Sequence, residues 1–533
     1  MAFSITSRGG RVILPIDDFR SGTSTEQHFS LPLTFTAASL NVISEGRKLA
    51  KRAGRLAING TAIAGTPRGN GIMGFLPVFE NTILPQTLVA QFGGTIYKMD
   101  ESDGTWDSLT SGRVNDTVEM LNYYVGDTKH ALIFSWSNEQ PRRWDGDAAA
   151  TSIMDTSAPR AAHATVWRNR CFTCGIDAEP FTIRYTNEDS LVFPSANSIT
   201  VTADVQERLT GWGLLRTLYV FMPHSIHRIT YLGGSPLYEV TQVVSGVGTM
   251  SPLTIKTIRV GGESAIVFLG SDRRVYLFNG FEVEAISNVI EEDNGIAEAT
   301  LSSINSGGLK RCHAIVDESK SRYYLSFPNA GVQDMTHTYV LDYGPKGNDR
   351  ASSLAWYLYS NQTFANASVA YDSDGGRRLV AVDYAGKAHY LEEGATDDGT
   401  AVTAKWQSPW FDFGASSVIA KVDEIRCFFR RLGNQTVNVY TRENFRQPWS
   451  VAQTASLSSE GDDFLNTFTL GTDILGGNVI ASSTILPART FNQLQIRLED
   501  SLSTRPWVLE RLEVLGKMTE GGMTVSAGEG TGA

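Results

Sequence analysis

The chain has 533 residues, too many for one ordinary hydrophobic core, and 41 % of them are hydrophobic against 19 % charged, a globular and not a disordered composition. Fifty glycines, 25 phenylalanines and 18 tyrosines favour many strands joined by tight turns, and no run reaches the ~20 apolar residues of a membrane-spanning helix. Net charge is −11, but residues 1–75 hold nine Arg or Lys against four acids (+5), so the remainder carries −16; a basic head on an acidic body speaks to partners and not to fold.

Residues 1–75 read as an irregular N-terminal arm with a first strand or two. Short apolar runs such as Val12 to Leu14 alternate with Gly, Ser, Thr and Pro, and a basic stretch contains Arg47, Lys48, Lys51, Arg52 and Arg55. Those five are the candidate contact segment for an acidic partner surface or nucleic acid. The opening residues lack a charged region followed by an apolar core, so no secretory leader is expected. Four cysteines, Cys171, Cys174, Cys312 and Cys427, are too few for a disulfide framework, which suits synthesis in a reducing cytoplasm.

From residue 76 to about 400 one outline recurs: an apolar run, a turn of Gly, Asn or Asp, and a second alternating run. In 264–287 the apolar run Ala265 to Leu269 meets the turn Gly270-Ser-Asp272, Val275 to Phe278 follow, and Asn279-Gly280 leads to a third strand. Units of this kind start at 88, 131, 164, 218, 265, 313 and 378. Several of the gaps fit the roughly 40–50 residues of a four-stranded propeller blade. Sheets that are apolar on both faces must bury them against neighbours, and ring closure removes free edges. The expectation is an irregular β-propeller of five to seven blades, with packed meanders as the alternative. A short helix is expected between Asn288 and Leu301.

Beyond Glu392–Thr400 the strands alternate cleanly, as in Thr436 to Arg442 and Trp507 to Leu515, which predicts an antiparallel β-sandwich over 401–516. Residues 517–533 read as a flexible Gly-rich tail.

Motifs for chemistry are sparse. Cys171-Phe-Thr-Cys174 lacks a second pair or ligand histidines, so buried thiols are expected and not zinc. His224 and His227 sit in a turn with no third ligand nearby. Asp145/Asp147, Glu291 to Asp293, Asp372/Asp374 and Asp397/Asp398 read as turn acids. No nucleophile elbow, P-loop or dinucleotide fingerprint occurs. The expectation is therefore no enzyme, no cofactor and no metal.

Four segments resemble the tail nozzle (hub) proteins of short-tailed bacteriophages: Lys51-Arg-Ala-Gly54 leading into a strand, Phe92-Gly-Gly-Thr-Ile-Tyr-Lys98, Val275-Tyr-Leu-Phe-Asn-Gly280, and Trp406-Gln-Ser-Pro-Trp-Phe-Asp412 opening a sandwich. The resemblance spans residues 45–515. It implies a structural virion protein made in the host cytoplasm: a homo-oligomeric, hexameric ring at the end of the DNA-ejection channel. Such a ring docks a portal or adaptor ring above and tail fibres or spikes on its flanks, and genomic DNA passes transiently through its lumen. An acidic wall would let DNA slide instead of sticking, and the basic N-terminal region would face the adaptor. The alternatives are a glycan-binding or glycan-degrading propeller, with Trp106, Trp144, Trp356 or Trp410 stacking on sugars, and a fibre-adaptor or baseplate subunit of another tail type.

Overall fold

A computed structural model describes residues 6–8, 11–26, 31–75, 87–100, 104–292, 297–344, 354–372, 375–412, 419–430, 436–445, 448–450, 453–457, 480–485, 489–500 and 505–519. The chain divides into two compact units, one from residues 53–293 and 299–398, the other from 1–52, 294–298 and 399–533.

The first unit is a β-propeller of seven antiparallel blades. Their innermost strands are Gly69–Phe75, Val118–Val125, Ala161–Trp167, Gly211–Leu214, Lys256–Val260, His313–Asp317 and Phe364–Tyr371. Each pairs outward with the next strand in sequence, as Leu214↔Leu218 does in blade 4 and Lys256↔Val267 in blade 5. Each innermost strand also approaches those of the two adjacent blades, and Phe364–Tyr371 packs against Gly69–Phe75, so the ring is closed.

The hydrophobic core lies between blades, as two-faced apolar sheets require. Phe75, Ile133 and Trp144 fill the space between blades 1 and 2, and Phe172, Tyr185, Val220 and Tyr238 that between blades 3 and 4. Phe221, Phe268 and Phe278 do so between blades 4 and 5. Between blades 5 and 6, the Tyr323 hydroxyl donates to the Thr254 carbonyl at 3.0 Å.

Blade 7 borrows its fourth strand from the start of the unit: Arg55–Ala57 pairs antiparallel with Ala388–Leu391, in the register His389↔Ala57 to Leu391↔Arg55. The propeller thus begins near residue 55 and not at 76, and Arg55–Ala57, within the segment expected to be an arm, is its clasp. Among the described residues of the span expected to hold a short helix, 288–301, there is a single 3-10 turn at Asn288–Ile290 and another opening at its end, Leu301–Ser303.

The second unit is a sandwich of two antiparallel sheets. One contains Arg11–Ile16, Val508–Thr519, Ile419–Arg430 and Ile480–Ile485; the other contains Ala38–Leu40, Ala404–Gln407, Leu494–Asp500, Thr436–Glu443 and Gln453–Ser456. Trp406, Phe429, Trp507, Val422 and Leu498 meet in its core. Phe19 packs edge-on against Trp406 at 5.6 Å, and Phe429 against Trp507 at 5.9 Å. The sandwich is therefore built from both ends of the sequence. Residues 1–52 belong to it, because Arg11–Ile16 is the partner that Val508–Thr519 needs on its flank. Lys517–Thr519 continue that strand; the rest of the expected tail, like Asp293, Asp374 and Phe413, lies outside the described residues.

This partition also relocates the charge. The sandwich unit holds 19 Lys or Arg and 19 Asp or Glu, and the propeller unit 27 and 38, so the entire −11 sits on the propeller.

Candidate functional site

The axis of the propeller holds a cavity of about 220 Å3 lined by residues of every innermost strand, among them Ile72, Glu119, Thr165, Trp212, Lys256, His313 and Ser368. Such a space holds several waters or one small ligand. Its polar groups are unevenly satisfied. Glu119 is fully engaged: Oε1 lies 2.7 Å from His163 Nδ1 and accepts from Trp136 Nε1 at 3.2 Å, while Oε2 accepts from the Ala164 amide at 3.4 Å.

By contrast the indole N–H of Trp212 has no hydrogen-bond partner among the described residues, and His313, 1 % exposed, has the Arg311 backbone beside it. Burial, reinforced by the nearby Lys256 charge, pushes His313 down to about 3, so it is a neutral imidazole at neutral pH. Burial also lowers Lys256, and attraction to Glu119 opposes that shift.

The five basic residues of the proposed contact segment do not form one surface. Lys51 and Arg52 are buried. Lys51 Nζ lies 3.0 Å from Asp500 Oδ2, and Arg52 Nε donates to Asn41 Oδ1 at 2.8 Å. Lys48 pairs with Glu510 at 2.7 Å. Arg55, in the propeller, donates to the Asn361 carbonyl at 3.1 Å and lies over the Phe364 ring. Only Arg47 is largely exposed, 3.7 Å from Asp17. Lys51 and Arg52 are framework residues, because a buried charge needs a partner inside the fold.

The remaining chemical candidates also fall into the framework. All four cysteines are buried, and burial pushes each thiol up. A disulfide reagent at about pH 8 is therefore expected to find no reactive thiol in the folded chain, since the thiolate is the nucleophile, and all four after unfolding. Rapid reaction of even one native thiol would contradict their burial.

His224 and His227 do not converge: His224 is exposed with Nδ1 2.8 Å from Glu207, and His227 is buried with Nε2 3.0 Å from Ser225 Oγ. Asp145 accepts from the amides of Asp147 and Ala148, which holds its carboxyl below the usual range. Among the described residues, no three His, Cys, Asp or Glu side chains group as a metal site would require. Trp144, Trp356 and Trp410 are buried, and Trp106 packs on Phe92 at 5.5 Å, so these rings are core and not sugar platforms.

Lys256, His313 and Trp212 escape sequence reading because their convergence depends on which strand of each blade is innermost. Once the blades are counted, they are recognisable as polar or aromatic residues near the start of an innermost strand.

The fold thus defines a seven-bladed β-propeller accompanied by a β-sandwich assembled from both ends of the sequence. No protein-family model and no curated protein matches the chain. Similar solved structures include a chain from a crystal structure of the mitotic checkpoint complex, at 9 % identity over 63 % of this chain and 98 % of that one, TM-score 0.37. Another is the extracellular domain of a putative hybrid two-component system from B. thetaiotaomicron, at 8 % identity over 74 % of this chain and 44 % of that one, TM-score 0.38. Likenesses of that degree carry no functional argument.

Proposed function

We propose that this chain is a structural subunit of the nozzle at the end of a short phage tail, acting in the virion as a homo-oligomeric ring around the DNA-ejection channel. The observation that carries this reading is that the segments resembling nozzle proteins are the ones that knit the two units internally. Lys51 and Arg52 lock the sandwich, and Gly54 adjoins the clasp of blade 7. Phe92–Lys98 forms the turn between the second and third strands of blade 1, where a Cβ on Gly94 would overlap the Arg113 carbonyl. Trp406 donates its indole N–H to Thr36 Oγ1, and the Ser408 carbonyl accepts from Gln495 Nε2 at 2.7 Å. A motif used as framework marks an architecture, and in this case the architecture resembled is the nozzle.

Charge supports the same reading. The propeller's −11 would line a lumen with like charge to the phosphates, so that DNA slides. The axial cavity, at about 220 Å3, is far too small for a duplex, so in this reading the conduit lies between subunits. Contacts with an adaptor ring and with fibres or spikes belong to the same proposal, with Arg47 as the exposed cation of the former contact segment.

Native mass spectrometry and negative-stain microscopy of the purified chain, with and without tail particles lacking it, test the proposal. The expected result is a ring, sixfold by resemblance, that completes such particles. A monomer that joins no tail would overturn it.

A further inference from the structure

We propose that the outer face of the smaller sandwich sheet is a binding site for an acidic sugar, a uronic or sialic acid residue of a glycan, with Arg442 pairing its carboxylate and Phe445 and Trp449 stacking on its ring. This inference does not depend on the ring assembly. It rests on a guanidinium that the fold buries among aromatic rings without a carboxylate to meet it.

Strand parity builds this face. Val437 and Val439 of Thr436–Glu443, and Ile496 and Leu498 of Leu494–Asp500, belong to the sandwich core. Tyr440, Arg442, Gln495 and Arg497 therefore stand on the opposite side, in the register Tyr440↔Arg497 and Arg442↔Gln495. There cations and rings alternate. The Arg497 guanidinium lies 4.2 Å from the Tyr440 ring centre and 4.8 Å from that of Trp449. Arg442 lies 4.6 Å from Trp449 and 5.0 Å from Trp410, and Trp410 meets Phe445 at 4.7 Å. The backbone fixes both outer rings. Beside Trp449, the Ser450 amide donates to the Thr441 carbonyl at 2.8 Å. Beside Phe445, Asn444 Oδ1 accepts from the amides of Asn492 and Gln493 at 2.9 and 3.2 Å.

The two guanidiniums differ in what they lack. Arg497 has Glu499 at 3.3 Å from Nη2. Arg442 is 5 % exposed, and its one hydrogen bond among the described residues runs from Nε to the neutral amide oxygen of Gln495. Its terminal nitrogens are not enclosed and have no acceptor among the described residues. Burial and the Arg497 charge lower its pKa, and no neighbouring acid opposes them. A guanidinium nevertheless stays protonated, and buried charges are ordinarily paired. An anion presented to the open edge of Arg442 supplies the missing partner.

Phe445 is 53 % exposed, so the group that brings the anion also has a ring to cover. An inorganic oxyanion brings no apolar surface. An acidic peptide would lie on a sheet face whose strand amides and carbonyls are already paired with each other, which leaves its backbone without partners. A sugar carboxylate meets both demands, with its C–H face on the ring and its two oxygens on the guanidinium fork.

The test is isothermal titration of the full chain with tetragalacturonate, sialyllactose, neutral maltotetraose and tetraglutamate in separate arms, at constant ionic strength. The expected result is saturable binding of at least one of the two acidic saccharides, one per chain, and none of maltotetraose or tetraglutamate. Arg442→Met should weaken it at least ~10-fold through loss of charged hydrogen bonds. Phe445→Ala should weaken it roughly 2- to 10-fold through loss of ring contact. Lys98→Met, on the outer part of blade 1, should leave it unchanged. If Arg442→Met does not fold, Phe445→Ala carries the comparison, since it trims an exposed ring. No saturable heat from either acidic saccharide up to about 10 mM overturns the proposal. So does binding of maltotetraose or tetraglutamate as tight as theirs, or full affinity in the variants that fold.

Discussion

Lys51→Met is expected to destabilise the sandwich unit by ~3–5 kcal/mol, the cost of leaving one partner of a buried ion pair without the other. The Lys51 side chain is fully buried and that of Asp500 is 2 % exposed, with 3.0 Å between Nζ and Oδ2. Lys51 ends the strand Lys48–Lys51, and Asp500 ends Leu494–Asp500, so the pair ties the larger sheet to the smaller one. Methionine keeps the length and apolar stem of lysine, which confines the change to the lost charge and its hydrogen bonds. Guanidinium unfolding followed by the fluorescence of Trp406 and Trp507, both in the sandwich core, reads the loss. Lys51→Met/Asp500→Leu should recover much of it, since a buried pair replaced by apolar residues is often neutral. Lys48→Met, which removes a partly exposed pair with Glu510, should cost no more than about 1 kcal/mol. If Lys51→Met behaved like Lys48→Met, the pair would not be the lock its burial implies.

How far the sequence discloses this architecture is clearest in the propeller. The seven unit starts, at 88, 131, 164, 218, 265, 313 and 378, fall one in each blade, because a strand buried on both faces leaves a local apolar signature bounded by turns. Their uneven gaps have a simple cause. The outline falls on the first strand of blades 3 and 6 and on the second strand elsewhere. Counted between first strands, the spacings are 49, 43, 50, 45, 57 and 51 residues, which is close to regular. The sandwich strands over 401–516 were legible through alternation; Ile419–Arg430 buries alternate residues over much of its length.

What local pattern cannot disclose is pairing across hundreds of residues. Nothing near Arg11–Ile16 announces Val508–Thr519 as its partner, and nothing near Arg55–Ala57 announces blade 7. The same blindness explains Lys51 and Arg52. A basic run is usually a solvated face, and only a carboxylate 449 residues away turns Lys51 into core. The cavity residues Lys256, Trp212 and His313 were hidden for a related reason, since three blades have to be placed around one axis before they meet.

Gly54→Ala is expected to loosen the clasp that closes the ring. A Cβ at this position would overlap the Thr396 carbonyl oxygen and crowd its backbone, so no side-chain adjustment can make room. Gly54 also sits in a tight exchange, donating its amide to the Gly394 carbonyl at 3.0 Å and accepting from the Glu393 amide at 3.1 Å. Moving it would pull Arg55–Ala57 off Ala388–Leu391, with the Ile58 amide to Ala388 carbonyl bond of 2.8 Å at the far end of the same strand. Overpacking against backbone costs roughly 1–3 kcal/mol or more, and here it falls on the strand that completes blade 7. Hydrogen exchange should therefore quicken at 55–58 and 388–391 before it does in blades 3 to 5, and the midpoint of thermal unfolding should drop. Gly60→Ala is the control, because a Cβ there meets nothing within 4 Å; it should be neutral or stabilise by about 0.4–1 kcal/mol by restricting the unfolded chain. Equal exchange and equal midpoints for Gly54→Ala and Gly60→Ala would mean that the strand from residue 55 does not hold the ring shut.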